Sequence, residues 1–268
     1  MSTIRVTGET DHCEDLADQM ADLLHTAAPY VEKATGLVLP DVSVRLVDIG
    51  TAAREFGAFV RHRFEHGTPR PGVSARERDW ENVFVQGTEW TVRMQWATTT
   101  SLTIANPDRD GLPETLMVPA TLAWQRLSCD RTRLCALMIE ILTKQAQVAA
   151  CGGSVIPGKG RLVALREQDP AFHLGEGHAQ WTSLQVSPVV LSQPVRRRHQ
   201  WHIDVVRASL AGDVGGARAW KRRATSFVDT VLAAVGTEVF NRMWVRHEML
   251  PTLAELRHPA RWIRRQNC

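Results

Sequence analysis

Long hydrophobic runs are missing from this sequence: none approaches the roughly 18–20 residues that a membrane span requires. The opening, Met1 to Glu14, is polar and acidic where a secretory leader would be basic and then greasy. A cytoplasmic protein with no membrane partner is the expectation. The five cysteines, Cys13, Cys129, Cys135, Cys151 and Cys268, are odd in number and never fall as CxxC. Neither a disulfide framework nor a thiolate zinc site is therefore expected, only reduced and mostly buried thiols. Gly152-Gly153 and Gly158-Lys159-Gly160 lack the spacing of a phosphate-binding loop, and zinc-finger spacing and RNA-binding aromatic motifs are also missing.

What remains is an ordinary globular composition, 44% hydrophobic and 23% charged over 268 residues. Charge is unevenly placed: from Arg196 onward there are 14 lysines and arginines against 6 acids, although the whole chain is only +3. These basic residues lie within helical patterns, where a solvated face accounts for them, and the Arg196-Arg197-Arg198 run reads as a solvated turn. A nucleic-acid partner is not expected.

Apolar residues at Leu16, Met20, Leu23, Leu24, Ala27 and Val31 recur every three or four positions, which predicts an amphipathic helix within Asp11 to Thr35, closed by Gly36. Val42 to Val47 alternates like a strand after the Pro40-Asp41 turn. Thr51 to His66 reads as a helix and Gly67 to Arg78 as a loop or flap. Val92 to Ile104, rich in Val, Thr, Trp and Ile, reads as one or two strands ending at Asn106-Pro107-Asp108. Leu112 to Leu127 reads as helical, with Pro119 kinking or starting a helix. Arg131 to Ala150 is the strongest helix, apolar on more than one face and so buried. Beyond Gly152-Gly153, Ser154 to Phe172 is a polar connection, Glu176 to Val186 a short helix and Pro188 to Pro194 extended. Helices follow around Trp201 to Leu210, Ala217 to Val235 and Glu238 to His247. Thr252 and Glu255 have the spacing of a capping box.

Within the strongest helix stands Ile139-Glu140-Ile141-Leu142-Thr143-Lys144-Gln145-Ala146-Gln147, and some thirty residues later Gly175-Glu176-Gly177-His178-Ala179-Gln180-Trp181. The first resembles the zincin string IHELTHALQ at its isoleucine, leucine, threonine and final glutamine; the second resembles the EGxAxW helix that supplies a third metal ligand. Phe240 to Arg265, FNRMWVRHEMLPTLAELRHPARWIRR, is similar to the C-terminal segment of an actinobacterial family of zinc-dependent metalloproteases associated with coenzyme F420 biosynthesis. The resemblance runs from about Leu112 to Arg265. It implies an α+β, mostly helical, zincin-like metallopeptidase architecture in one domain spanning 1–268. Residues 1–110 would hold a small sheet and 111–268 would be helical.

In the resembling alignment Glu140 takes the first histidine position, Ile141 the catalytic glutamate, Lys144 the second histidine, and Glu176 the third ligand. Zinc takes imidazole, thiolate or carboxylate donors, and a protonated lysine repels a cation, so no metal and no other cofactor is expected. An ion pair of Lys144 with Glu140, Glu176 or both is expected in its place. Such a pair, partly desolvated, has pKa values open to displacement, which makes Glu140 or Glu176 a candidate general base and Lys144 a candidate acid or anion holder. Thr143, Gln147, His178 and Trp181 are candidate substrate contacts. Trp181, Trp124 and the Trp90 to Trp96 segment either line an apolar cavity or belong to the core. The expected function is a metal-free, non-proteolytic enzyme acting on a small molecule in a specialised biosynthetic pathway. Its alternatives are an inactive homologue that binds a peptide or protein, and a zinc hydrolase whose site is rebuilt through His173 or His178.

Overall fold

In the computed structural model, the residues described are 2–10, 13–66, 83, 87–106, 112–152, 170–192 and 216–266. Four strands, β1 (Ile4–Gly8), β2 (Val42–Leu46), β3 (Leu102–Asn106) and β4 (Leu112–Met117), form one sheet in the order β1-β2-β4-β3. The first two junctions are parallel, with Val6 opposite Val44 and Val44 opposite Thr115, and β3 closes the edge antiparallel with Thr103 opposite Thr115. The helices are α1 (Glu14–Thr35), α2 (Ile49–His66), α3 (Pro119–Trp124), α4 (Arg131–Ala150), α5 (Pro170–Val190), α6 (Gly216–Val245), α7 (Leu253–Arg257) and α8 (Pro259–Gln266). Helix is the dominant element, and the sheet lies in the N-terminal half.

Alternation along the strands divides the interior in two. Val42, Val44, Leu46 and Met117 join the main core, where α1, α4, α5 and α6 meet, while the neighbouring Val47, Leu116 and Val118 join a second core with Phe56, Phe59 and Val60 of α2. α1 ends as its sequence dictates: Gly36 adopts φ 64°, and its N–H caps the Glu32 carbonyl at 2.8 Å. At Gly36 an added Cβ would also meet the Thr237 side chain at 2.7 Å, so the turn and the approach of α6 both require glycine.

α4 spans the residues expected of it. Asp130 caps it by accepting from the Arg133 N–H at 3.1 Å, and Leu134, Met138, Ile139, Ile141 and Leu142 are all fully buried. One buried polar residue ties it to the sheet. Gln145 accepts from the Ser43 N–H at 3.2 Å and donates to the Ser43 carbonyl at 2.8 Å and the Thr115 hydroxyl at 2.9 Å. Since β2 and β4 pair only from Val44 and Thr115 onward, the amide takes the place of the next strand residue.

Several expectations are corrected. Leu112 to Met117 is a strand, so the sheet runs past residue 110; only from Pro119, at the first turn of α3, is that stretch helical. Residues 87–94 are helical and Trp96–Thr98 forms a 3-10 turn, leaving a strand only from Leu102. Val92 is buried against the second core, and that packing overrides its β propensity. Ile4–Gly8, which the pattern does not mark, is an edge strand. α5 is longer than expected, beginning at Pro170 and carrying Pro188 inside it, so 188–190 are helical and not extended. Gly67 to Arg78 and Trp201 to Leu210 lie outside the described residues.

The expected break between the last long helices is present as Gly236, at φ 76° and ψ 171°, inside α6. The capping box is formed: Thr252 Oγ1 accepts from the Glu255 N–H at 3.2 Å while Glu255 accepts from the Thr252 N–H at 2.8 Å. Of the described cysteines, Cys13, Cys135 and Cys151 are buried and Cys129 is exposed. No described helix is long and apolar enough to cross a membrane.

Candidate functional site

Three helices converge on one charged cluster. α4 presents Glu140 and Lys144 one turn apart, α5 presents Glu176, and α6 presents Lys221. The Lys144 ammonium lies 2.6 Å from Glu176 Oε1, and Lys221 Nζ lies 3.2 Å from Glu140 Oε2 and 3.7 Å from Glu176 Oε2. Two ammoniums therefore alternate with two carboxylates, and the four side chains retain only 21–32% of their exposure. Glu140 pairs with Lys221, 81 residues away, and not with the lysine one turn along its own helix.

Lys221 is the member that sequence reading missed. It sits in Lys221-Arg222-Arg223, indistinguishable by pattern from a solvated basic face. What brings it in is the approach of α5 to α6. Gly177 faces Ala224, and a Cβ at Gly177 would stand 2.5 Å from that of Ala224. Only a residue without a side chain allows the helices this close, and the flanking Glu176 and Lys221 then fall within reach.

Of the remaining expected contacts, Thr143, Gln147 and His178 are buried and Trp181 is partly so. His178 has no exposure; its Nδ1 receives the Gln147 side-chain N–H at 3.0 Å, and its ring stacks on Trp244 with centroids 5.7 Å apart. Burial pushes the His178 imidazole down to about 3. Gln147 also donates to the Gly175 carbonyl at 3.3 Å, and the buried Thr143 hydroxyl donates to Ile139 of its own helix at 2.8 Å. Trp181 donates its indole N–H to Asp229 at 3.0 Å. Thr143, Gln147 and His178 are thus buried, and Gln147 ties α4 to α5 through Gly175 and His178. Trp90, Trp96 and Trp124 are not core: they are exposed, and Trp96 and Trp124 stand 6.0 Å apart.

The donor set among the described residues does not suit zinc. Of its four charged groups two are ammoniums, Ile141 is fully buried and apolar, and two carboxylates fall short of three protein ligands. Neither nearby histidine completes it. His178 is wholly enclosed, with Nδ1 taken by Gln147 and a buried Nε2 that meets no hydrogen-bond partner, and His173 lies flat on Trp220 with centroids 4.8 Å apart. Among the described residues no group of three His, Cys, Asp or Glu is placed to hold a metal.

A second charged group lies on the sheet. Arg45 of β2 meets Glu9 and Glu55, both at 2.6 Å, and the buried Glu114 at 3.2 Å. The Glu55 contact foremost raises the guanidinium above its ordinary value, against the effect of burial. Arg45 thus ties β2 to α2 through Glu55, to β4 through Glu114 and to the end of β1 through Glu9.

No curated protein matches the chain at a significant level. Among solved structures it is similar, over 96% of its length and 92% of the other chain, to a crystal structure from Chloroflexus aurantiacus described as a "putative hydrolase with a novel fold". At 15% identity and a TM-score of 0.56, that likeness is one of fold. The family model of the zincin-like metallopeptidases matches residues 187–263, from the last turn of α5 to α8, so Glu140, Lys144, Glu176 and its three-residue neighbourhood lie before the matched stretch while Lys221 lies within it. The chain is thus mostly helical with a four-stranded sheet, and over residues 187–263 it is similar to the zincin-like metallopeptidases.

Proposed function

We propose that this chain is a metal-free relative of the zincins that performs acid and base chemistry on a small polar molecule, not peptide hydrolysis at a zinc ion. A single observation carries the reading: Lys144 Nζ stands 2.6 Å from Glu176, with Lys221 bridging Glu176 and Glu140. Positive charge that a divalent ion would supply comes from two lysines.

Such a cluster costs several kcal/mol to desolvate unless every charge is paired, and in a purely structural role an apolar replacement would serve as well or better. Its partial exposure leaves one side open to a ligand whose own polar groups exchange with the internal pairs. In that exchange Glu140 or Glu176 accepts a proton from the substrate and Lys144 donates one or holds a developing anion. Glu140, tied to the more exposed lysine, is the carboxylate more readily released. A biosynthetic setting, with a small molecule in place of a polypeptide, follows from the same reading.

Metal analysis of the purified protein tests the first half: no stoichiometric zinc is expected, and one tightly bound zinc per chain, lost on Glu176→Gln, overturns it. For the second half, a melting-temperature screen against small polar molecules should find ligands whose effect disappears in Lys144→Met. Stabilisation by polypeptides alone would favour the other reading, a non-catalytic homologue that binds a peptide or protein. The exposed Trp90, Trp96 and Trp124 support that alternative.

A further inference from the structure

One helical turn from the cluster, two arginines converge on a single indole. The guanidinium carbon of Arg223, on α6, lies 5.2 Å from the ring centre of Trp220, and that of Arg257, on α7, lies 4.8 Å from the same centre. The ring itself is buried and stacked on His173 of α5. Both arginines are exposed, and neither forms an ion pair or hydrogen bond with a described residue. Among the described residues several cations are instead answered by acids: Arg45 has three carboxylates, Arg265 has Glu255, and Lys144 and Lys221 have Glu176 and Glu140.

Two like charges brought to one ring repel each other, and the ring face offsets this only in part. An anion between them removes the repulsion. Flat guanidiniums with parallel N–H pairs suit an oxyanion held from two sides, and a phosphate, with three terminal oxygens and up to two negative charges, can engage both forks where a single carboxylate fills one. Placement links this pair to the chemistry described above. Trp220 precedes Lys221, and its stacking partner His173 lies three residues before Glu176, roughly 5 Å along the helix axis.

We infer that Arg223 and Arg257, backed by Trp220, form a binding site for the phosphate group of a small molecule, the rest of which reaches the Glu140–Lys144–Glu176–Lys221 cluster. The substrate class is then a phosphorylated small molecule. Only that last step rests on the proposed function; anion binding itself does not need turnover.

Calorimetric titration of the full chain with pyrophosphate, at low ionic strength, tests the site. Binding is expected, weakened about tenfold or more in Arg223→Met/Arg257→Met, whose apolar side chains still cover the indole and so preserve the fold. Lys144→Met should retain it, which separates failure of the anion site from failure of the acid–base reading. Three results would overturn the inference: no pyrophosphate binding, binding equal in the double variant, or equal binding of a dicarboxylate such as succinate. Binding of a short oligonucleotide in preference to pyrophosphate would also overturn it, by turning the site into part of a nucleic-acid surface.

Discussion

Gly177 and Ala224 bring α5 and α6 into close contact: a Cβ added to the glycine would lie 2.5 Å from the alanine Cβ and 2.6 Å from its carbonyl carbon. Backbone cannot yield as a flexible side chain does. Gly177→Ala should therefore lower stability by about 1–3 kcal/mol through overpacking and move Lys221 away from Glu176. Denaturant unfolding reads the first effect. A Lys144→Met/Gly177→Ala cycle reads the second, because a cluster already opened leaves Lys144 less to lose; strictly additive losses would show the two to be independent.

Acid should destabilise the protein through His178. In the unfolded chain an imidazole titrates near 6.5, whereas burial holds the folded one near 3. Between those values the unfolded state binds the extra proton. The contribution is complete above about pH 6.5 and is lost as pH falls toward 3, on the order of 1 kcal/mol per pH unit. Urea midpoints for the native chain and His178→Phe, measured from about pH 7 to pH 4, check this. Parallel curves would assign the acid sensitivity to other groups.

Thiol reactivity should divide the cysteines by burial. Cys129 is exposed, while burial pushes the Cys135 thiol up to about 11, so thiolate is scarce there near neutrality. Brief alkylation of the folded protein followed by peptide mass spectrometry is expected to find adduct on Cys129 and none on Cys135. Modification of Cys135 at a comparable rate would mean that α4 opens readily.

At the capping box of α7, burial works to raise the Glu255 carboxyl, but hydrogen bonds from Arg265 and Thr252 outweigh it and hold it below the ordinary carboxylate range. Thr252→Ala should cost about 1 kcal/mol. Glu255→Gln should cost as much or more, and its loss should shrink in acid, since the native carboxylate's contribution disappears as pH falls through its lowered pKa. A cost unchanged between neutral and acidic pH would contradict the ion-pair account.

Gln145 offers the sharpest test of the sheet. Replacing it with Leu keeps the volume but strands the Ser43 N–H and carbonyl in a buried setting, for an expected loss of about 2–4 kcal/mol. Protection of the Ser43 amide against hydrogen exchange should fall with it, and full protection in the variant would show that another group answers Ser43.

Reading by pattern succeeded where local signals agree. The spacing of apolar residues along α1 and α4, Gly36 and Gly236 at the helix breaks and the Thr252–Glu255 pair each act over one or two turns. Patterning faltered at Leu112–Met117, whose nearly continuous apolar run after Glu114 suits a buried helix or strand alike. β3 and β2, on either side, decided it. Val92 to Ile104 misled in the other direction, β-rich in composition yet helical through 94 where Val92 meets the α2 core.

The candidate centre was partly legible for a related reason. Glu140, Lys144 and Glu176 lie in recognisable strings, and the Lys144–Glu176 pair was among the arrangements expected. Their companion was not, because Lys221 comes from a helix far along the chain and nothing in its neighbours distinguishes it from the arginines beside it.

Amino-acid order alone therefore determined α1, α4, the glycine that closes α1 and the cap of α7, because these depend on contacts within a few residues. Only the tertiary structure decided which charges meet. Packing of Gly177 on Ala224 brings α6 beside α5 and Lys221 within reach of Glu176, and the docking of α7 on α6 brings Arg257 to Trp220.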